Sequence, residues 1–445
     1  MRLFTDKKET TFAGIIVLVH VVFFVLACIY KRIYMGDSFE YIYEACNIKN
    51  LFFCYSGNPV LPIEPEYMTQ RQPLYPLLLM GVYLFSVNNW VVLVIQNLLS
   101  VFNIVRARRL FGQIGYNARY DWVLLLLLIA YPAQFINANT IAPDILLQTC
   151  TLLYVGAFLR VFNKGRLKDV VWMSLWLIAG LFVKPVLYPF VVVHVVIVIA
   201  VLIKHKVPLQ RPLVAAILPL CAVLLYNYSN YTRTGKFHFS SNKSFNAIYY
   251  FKAYYGATQG ADSAARFIAA ERAAIAVLPE YKDRYDAANA RGIALLKEHF
   301  GSYMWFHIKN AARIFIDPGK AEIDLFTGKL TYGKLYTDKN GGFFSVLKER
   351  GIPGLNSYIA ANLSLVAALL VLLFNLLRCW GMLLFFTDRH IAPGIRLFML
   401  VLMGYFAMAA GPIANTRYFL PVSLVAIGCA AIGWGNYLQK RQAAS

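Results

Sequence analysis

The sequence predicts an all-α polytopic membrane protein of about ten transmembrane helices with an extracytoplasmic helical insertion, and three observations predict it. Of the 445 residues, 59% are hydrophobic and only 15% charged, whereas soluble domains carry about 25% charged residues. The apolar runs are long: TFAGIIVLVHVVFFVLACIY (11–30) and VVWMSLWLIAGLFVKPVLYPFVVVHVVIVIAVLI (170–203) supply the roughly 20 residues that a helix needs to span hydrocarbon. A barrel is excluded, because its strands would alternate in segments of about ten residues. Finally, 43 Lys and Arg stand against 22 Asp and Glu, a net +21. In a soluble protein that excess suggests nucleic acid. Here it is read first as topology, with anionic lipids or phosphorylated substrates second and no nucleic acid as a partner.

The first apolar run follows Arg2, Lys7 and Lys8. Its length, its lack of a small-x-small cleavage site and its end at Lys31 and Arg32 make it an uncleaved first helix, not a secretory signal. Basic clusters at Arg106, Arg108 and Arg109, at Arg160, Lys164, Arg166 and Lys168, at Lys204, Lys206 and Arg211, at Arg378, Arg389 and Arg396, and at Lys440 and Arg441 belong on the cytoplasmic side. Working back from them places helices near 11–30, 90–105, 122–138, 144–160, 169–183, 187–203, 212–228, 357–377, 397–411 and 418–437, with both termini cytoplasmic. The segment PLYPLLLMGVYLFSV (73–87) is apolar enough to insert. A full crossing there would flip every later basic cluster, so it is read as re-entrant or interfacial.

Three parts follow: an N-terminal transmembrane module (1–228) with an outer loop at 31–71, an extracytoplasmic insertion (229–356), and C-terminal transmembrane helices (357–445). The outer loop holds Asp37, Glu40, Glu44, Glu64 and Glu66 against four bases, the one acidic stretch of the chain. The insertion carries helix-like patterns at 263–278 and 285–316 and then a Gly-rich polar segment. Seven cysteines show no C-x-x-C or zinc spacing. Cys46 and Cys54 both fall in the outer loop and can pair if it is extracytoplasmic.

Ionisable residues at membrane depth are costly, which makes each a functional candidate. Asp37, in MGDSFEYIYEA, either takes a proton from an acceptor hydroxyl or caps the following helix; the roles are compatible, and Glu40 is the reserve. Arg71 opens RQPLYP and Lys184 opens KPVLYP, each placing a cation at the outer end of an apolar helix, with Tyr75 and Tyr188 in matching positions. Such cations can neutralise a lipid-linked phosphate or snorkel to headgroups. Asp144, in NANTIAPDILLQT, is a second carboxylate or a cap; Arg417, in GPIANTRYFLPV, is a further phosphate ligand or snorkels to headgroups, and Arg233, in NYTRTGKFHFSS, is a further phosphate ligand or a solvated loop charge. His20 and His194 read as helix-to-helix hydrogen-bond partners. No residues are placed for a hydrolytic triad.

These motifs, in this order, resemble the GT-C superfamily of membrane glycosyltransferases, in particular the bacterial protein O-mannosyltransferases of glycosyltransferase family 39 and the lipid A aminoarabinose transferases. The run is GDSFEYIYEA, RQPLYPLLL, IAPD, GLFVKPVLYP, NYTRTGKFHFSS and ANTRYFLPV, and it covers most of the chain. The resemblance implies a polyprenyl-phosphate sugar donor, attack by a glycan, lipid or protein acceptor hydroxyl with inversion, Asp37 as base, and Arg71, Lys184 and Arg417 as ligands of the donor phosphate. It implies Asp144 as an acceptor-side acid and a site on the outer face of a bacterial inner membrane. Many relatives carry a second acid directly after the first. Here Ser38 follows Asp37, which argues against a diacid metal site: no cofactor is required, and a divalent metal is compatible but not indicated. Two rival readings are an O-antigen polymerase or ligase, which would rely less on Asp37, and a transporter or flippase of lipid-linked sugars, which predicts inverted repeats with broken helices.

Overall fold

The computed structural model describes residues 7–208, 210–330, 351–354, 363–413 and 415–444, and among them every regular element is helical. Helix α1 (Lys7–Tyr30) has 24 residues, about 36 Å, enough for a bilayer core of about 30 Å. It lies antiparallel to α4 (Asn89–Gly112). Glu9 at the start of α1 meets Arg109 near the end of α4 at 2.5 Å, and His20 meets Ser100 midway at 2.9 Å. Asn89 donates to the Tyr34 hydroxyl just beyond α1 at 3.0 Å, so the chain leaves α1 and enters α4 on the same side. Between them lie α2 (Ser38–Leu51) and α3 (Leu74–Tyr83). The ten residues of α3 cover about 15 Å, half a bilayer core, and the segment 73–87 turns back as the charge pattern requires.

The single helix expected at 122–138 is two, α5 (Asp121–Ile129) and α6 (Ala133–Ala138). Pro132 separates them, because a proline has no N–H to donate and its ring clashes with the carbonyl one turn back. Then come α7 (Asp144–Lys164), α8 (Leu167–Val183), α9 (Phe190–Lys204) and α10 (Gln210–Thr234). The turn from α7 to α8 uses Gly165 at φ 59°, a left-handed position that suits glycine after a helix.

The insertion is built from α11 (Asn242–Gln259), α12 (Ala261–Ala276), α13 (Tyr281–Glu298), α14 (Phe300–Arg313) and α15 (Lys320–Phe326). The pattern at 263–278 is α12, while that at 285–316 is broken at His299 into α13 and α14. Helices α11 and α15 are additional to the sequence expectation. The rest of the polar segment, 331–350, lies outside the described residues, as does the first part of the helix expected at 357–377.

From Leu363 the chain continues as α16 (Leu363–Thr387), α17 (Pro393–Ala410) and α18 (Thr416–Ala444). Because α16 runs ten residues past its expected end, Arg378 is not a cytoplasmic loop charge. It is buried inside the bundle, donating to the Phe315 carbonyl at 2.8 Å with its guanidinium 5.0 Å from the Tyr131 ring centre.

Among the described residues seven helices, α1, α4, α7, α10, α16, α17 and α18, are long and apolar enough to cross a membrane. The α5–α6 pair, α8 and α9 are broken or shorter but connect the same two faces. Asp121 pairs with Arg108 of α4, Asp169 with Arg160 of α7, and His205 meets the Phe162 carbonyl, all at one face. Among the described residues the back-and-forth course therefore has ten passes, in an integral membrane protein. Helices α7 and α18 are the most enclosed of the seven, with 83% and 89% of their apolar windows buried. A ladder of buried amides ties them to α4 and α6: Gln148 of α7 donates to Gln134 at 2.9 Å and to the Leu420 carbonyl at 2.8 Å, and accepts from Asn103 at 3.1 Å. Such bonds hold helices together where apolar surfaces gain nothing over lipid. His194 likewise bridges Tyr154 and Ser174 at 3.1 Å each. Cys46 and Cys54 are free thiols, so the pairing considered from the sequence is not made.

Candidate functional site

The two central helices begin with opposite charges at the same end of the bundle. Asp144 opens α7 and Arg417 is the second residue of α18, while Asp37 precedes α2, Lys184 follows α8 and Arg71 stands in the loop before α3. Neither aspartate caps its helix through its side chain. Both carboxylates turn instead to Arg417. Its Nε donates to Asp144 Oδ2 at 2.9 Å, and its Nη1 and Nη2 donate to Asp37 at 3.2 and 2.9 Å. Lys184 Nζ donates to the other Asp144 oxygen at 2.8 Å. Arg71 stands 3.9 Å from Asp37, donates to Glu40 at 2.5 Å and covers the Tyr41 ring at 5.0 Å.

Five charged residues separated by up to 380 positions thus form one cluster. Its exposure is graded: the Asp144 side chain is 1% exposed, whereas Asp37, Arg71 and Lys184 keep 14–16%. Asp37, Arg71 and Lys184 therefore form the more open edge of the cluster, and Asp144 lies behind it. Burial alone would raise the Asp37 carboxyl, but the Arg417 and Arg71 guanidiniums outweigh it and hold the group well below the usual carboxylate range.

The insertion reaches this cluster through two acids that the sequence reading missed. Glu322 of α15 accepts from the Arg417 backbone N–H at 2.8 Å and bonds the Thr416 hydroxyl. Asp317 accepts from the Thr416 N–H at 3.0 Å. They satisfy the first free amides of α18, which fixes where Arg417 starts. Burial pushes the Glu322 carboxyl up to about 8.

The remaining candidates lie around or away from the cluster. Tyr75 is buried, donates to Gln96 at 2.6 Å and packs edge-on against Tyr41 at 5.2 Å, so it buttresses the ring under Arg71. Tyr188 stands outside the cluster, stacked on Phe239 at 5.4 Å, although its hexapeptide echoes that of Tyr75. Arg233 is also outside it, bonded to Asn230 near Glu44. Burial pushes Glu44 up to about 8 against the pull of Arg71 and Arg233. Among the described residues, no group of three or more His, Cys, Asp or Glu is arranged to hold a metal ion.

No family model matches the chain, and no curated protein matches it. Solved structures do. An archaeal oligosaccharyltransferase, AglB from Archaeoglobus fulgidus, in complex with an inhibitory peptide and a dolichol-phosphate, aligns at 13% identity with a TM-score of 0.48. The alignment covers 97% of this chain and 50% of that one, so this chain spans about half its length. ArnT from Cupriavidus metallidurans bound to undecaprenyl phosphate aligns at 14% identity and a TM-score of 0.39, covering 96% of this chain and 77% of that one. The apo state of the same protein aligns at 14% and 0.35, covering 96% and 78%.

Proposed function

We propose that the chain is a GT-C-type membrane glycosyltransferase that moves a sugar from a polyprenyl-phosphate donor to an acceptor hydroxyl on the outer face, with inversion. The observation that carries this reading is the convergence of Asp37, Arg71, Lys184 and Arg417 on one partly open edge, backed by the sealed Asp144. The C1–O bond to the donor phosphate breaks and its electron pair leaves with the phosphate. The acceptor oxygen bonds C1 from the opposite side, and its proton passes to the Asp37 carboxylate.

Arg71 and Lys184, the more open cations, meet the lipid phosphate and the charge that grows on it as it departs. Arg417, tied along two edges, orients Asp37 rather than binding the donor alone. Asp144 holds Arg417 and Lys184 in place. Glycan, lipid and protein acceptors all satisfy this chemistry.

Asp37→Asn tests the base. It should lower transfer by at least about 100-fold while binding of a fluorescent polyprenyl phosphate stays near wild type. Near-wild-type transfer would remove the assignment. Lys184→Ala and Arg71→Ala should each weaken that binding by about tenfold, as loss of a charge-assisted hydrogen bond does. Unchanged affinity in both would remove the phosphate site.

A further inference from the structure

At the opposite end of α7, 21 residues and about 30 Å from Asp144, the turn into α8 encloses a cleft of ≈ 300 Å³ lined by Arg160, Lys164, Arg166, Lys168, Asp169 and Trp172. The one acid of this lining is already used: Asp169 is buried and accepts from Arg160 at 2.8 Å. Among the described residues, Lys164, Arg166 and Lys168 make no ion pair. On α4, outside the lining of the cleft, a further cation stands beside Arg160. Arg106 likewise has no ion pair among the described residues, and its buried Nε has no hydrogen-bond partner.

Its Nη2 and the Arg160 Nη1 close on one point, 3.4 and 3.7 Å from where a Cβ would stand on Gly156. A Cβ there would be in ordinary contact with both guanidiniums and tight only against Leu110 Cδ2, at 3.0 Å. Four cations around one carboxylate leave the cleft with an excess of positive charge, which an anion bound there offsets. The first amides of α8 add to the field, since its cap residue Arg166 gives them no side-chain acceptor.

We infer that this cleft binds the phosphate of an anionic phospholipid in the leaflet opposite the Asp37–Arg417 cluster. The lipid source follows from Trp172 in its lining. Trp172 is 49% exposed and lies against Trp176 with ring centres 6.1 Å apart, and tryptophans of this kind lie at the headgroup level of a bilayer. The cleft thus opens where lipid phosphates are, and the inference is independent of the activity proposed above.

The test uses the full chain in nanodiscs of phosphatidylcholine with and without phosphatidylglycerol, read by retained lipid in native mass spectrometry and by the thermal unfolding midpoint. The triple variant Lys164→Gln, Arg166→Gln, Lys168→Gln should lose at least about tenfold of the preference for phosphatidylglycerol. A control with equal charge removed from the same face, Lys7→Gln, Lys8→Gln, Arg441→Gln, should keep it. Inorganic phosphate should not raise the midpoint of the wild type. A triple variant that keeps the preference, a control that loses as much, or equal stabilisation by inorganic phosphate would each overturn the lipid site. If the triple variant does not reach the membrane, Lys168→Gln alone should show a loss of about fivefold, and none would count against the site.

Discussion

Arg417 reaches two carboxylates at once because a guanidinium presents donors along two edges, one met by Asp144 and the other by Asp37. A lysine offers a point charge and reaches one of them. Arg417→Ala should cost about 3–5 kcal/mol, the usual result of leaving a buried partner charge unpaired, measured as thermal or denaturant unfolding in detergent. Arg417→Lys should recover part of that stability and little of the transfer, because Asp37 loses its two-point hold. Asp37→Asn differs in kind: the amide oxygen still accepts from Arg417, so the protein should stay folded while the proton acceptor is gone. Equal losses of stability in Asp37→Asn and Arg417→Ala would mean that Asp37 serves only the fold. The candidates themselves were legible as isolated charges in apolar surroundings. What local pattern left open was whether Asp37 and Asp144 cap helices, since aspartate before a helix fits both roles. The ion pairs across the bundle decide that neither side chain caps.

Helical passes were legible where apolar length alone decides, as for α1, α4 and α7. The sequence reading failed where a tertiary partner decides. Pro132 divides an apolar run whose hydropathy is continuous, and Arg378 is admitted into α16 because Phe315 and Tyr131 receive it. KAEIDLF (320–326) sits in a polar, Gly-flanked stretch with no distinctive periodicity, so nothing local marks α15 as the support of Arg417. Docking against the start of α18 gives Glu322 its role. Glu322→Ala should therefore lower transfer without touching a reactant, by loosening the first turn of α18, and Glu322→Gln should restore most of it because its amide oxygen still accepts from the Arg417 N–H. The amide ladder makes a second case at this scale. Gln148→Leu keeps the volume but takes one partner each from Asn103, Gln134 and the Leu420 carbonyl and leaves the Gln134 amide oxygen without the donor it has here. It should cost about 1–3 kcal/mol for the buried groups left unpaired, read as a lower unfolding midpoint with the site residues unchanged. A neutral result would mean that these amides find other partners.

Across the whole molecule, the net +21 is spread over both ends of the bundle. Basic clusters lie at the end opposite the Asp37–Arg417 cluster, while 229–356 adds 18 bases against 11 acids. Acids buried near that cluster tie stability to pH. Glu44 and Glu322 are both pushed from an ordinary 4.5 up to about 8, by burial in each case. Between those values the folded chain holds protons that the unfolded chain has released, so its stability falls as pH rises through that window. Asp37 works with the opposite sign. Its depressed pKa adds stability above its ordinary 3.8 that is lost only as the solution becomes strongly acidic. The two effects together predict an unfolding midpoint highest near pH 5 and declining toward pH 8. Glu44→Gln and Glu322→Gln, which keep a neutral group at those positions, should each flatten the decline, leaving the part contributed by Glu40, Glu66 and Asp317, which burial also raises. A midpoint that climbs steadily from pH 5 to pH 8 in the wild type would show that both acids are ionised in the folded chain, held by Arg71, Arg233 and Arg417 more strongly than burial disfavours them.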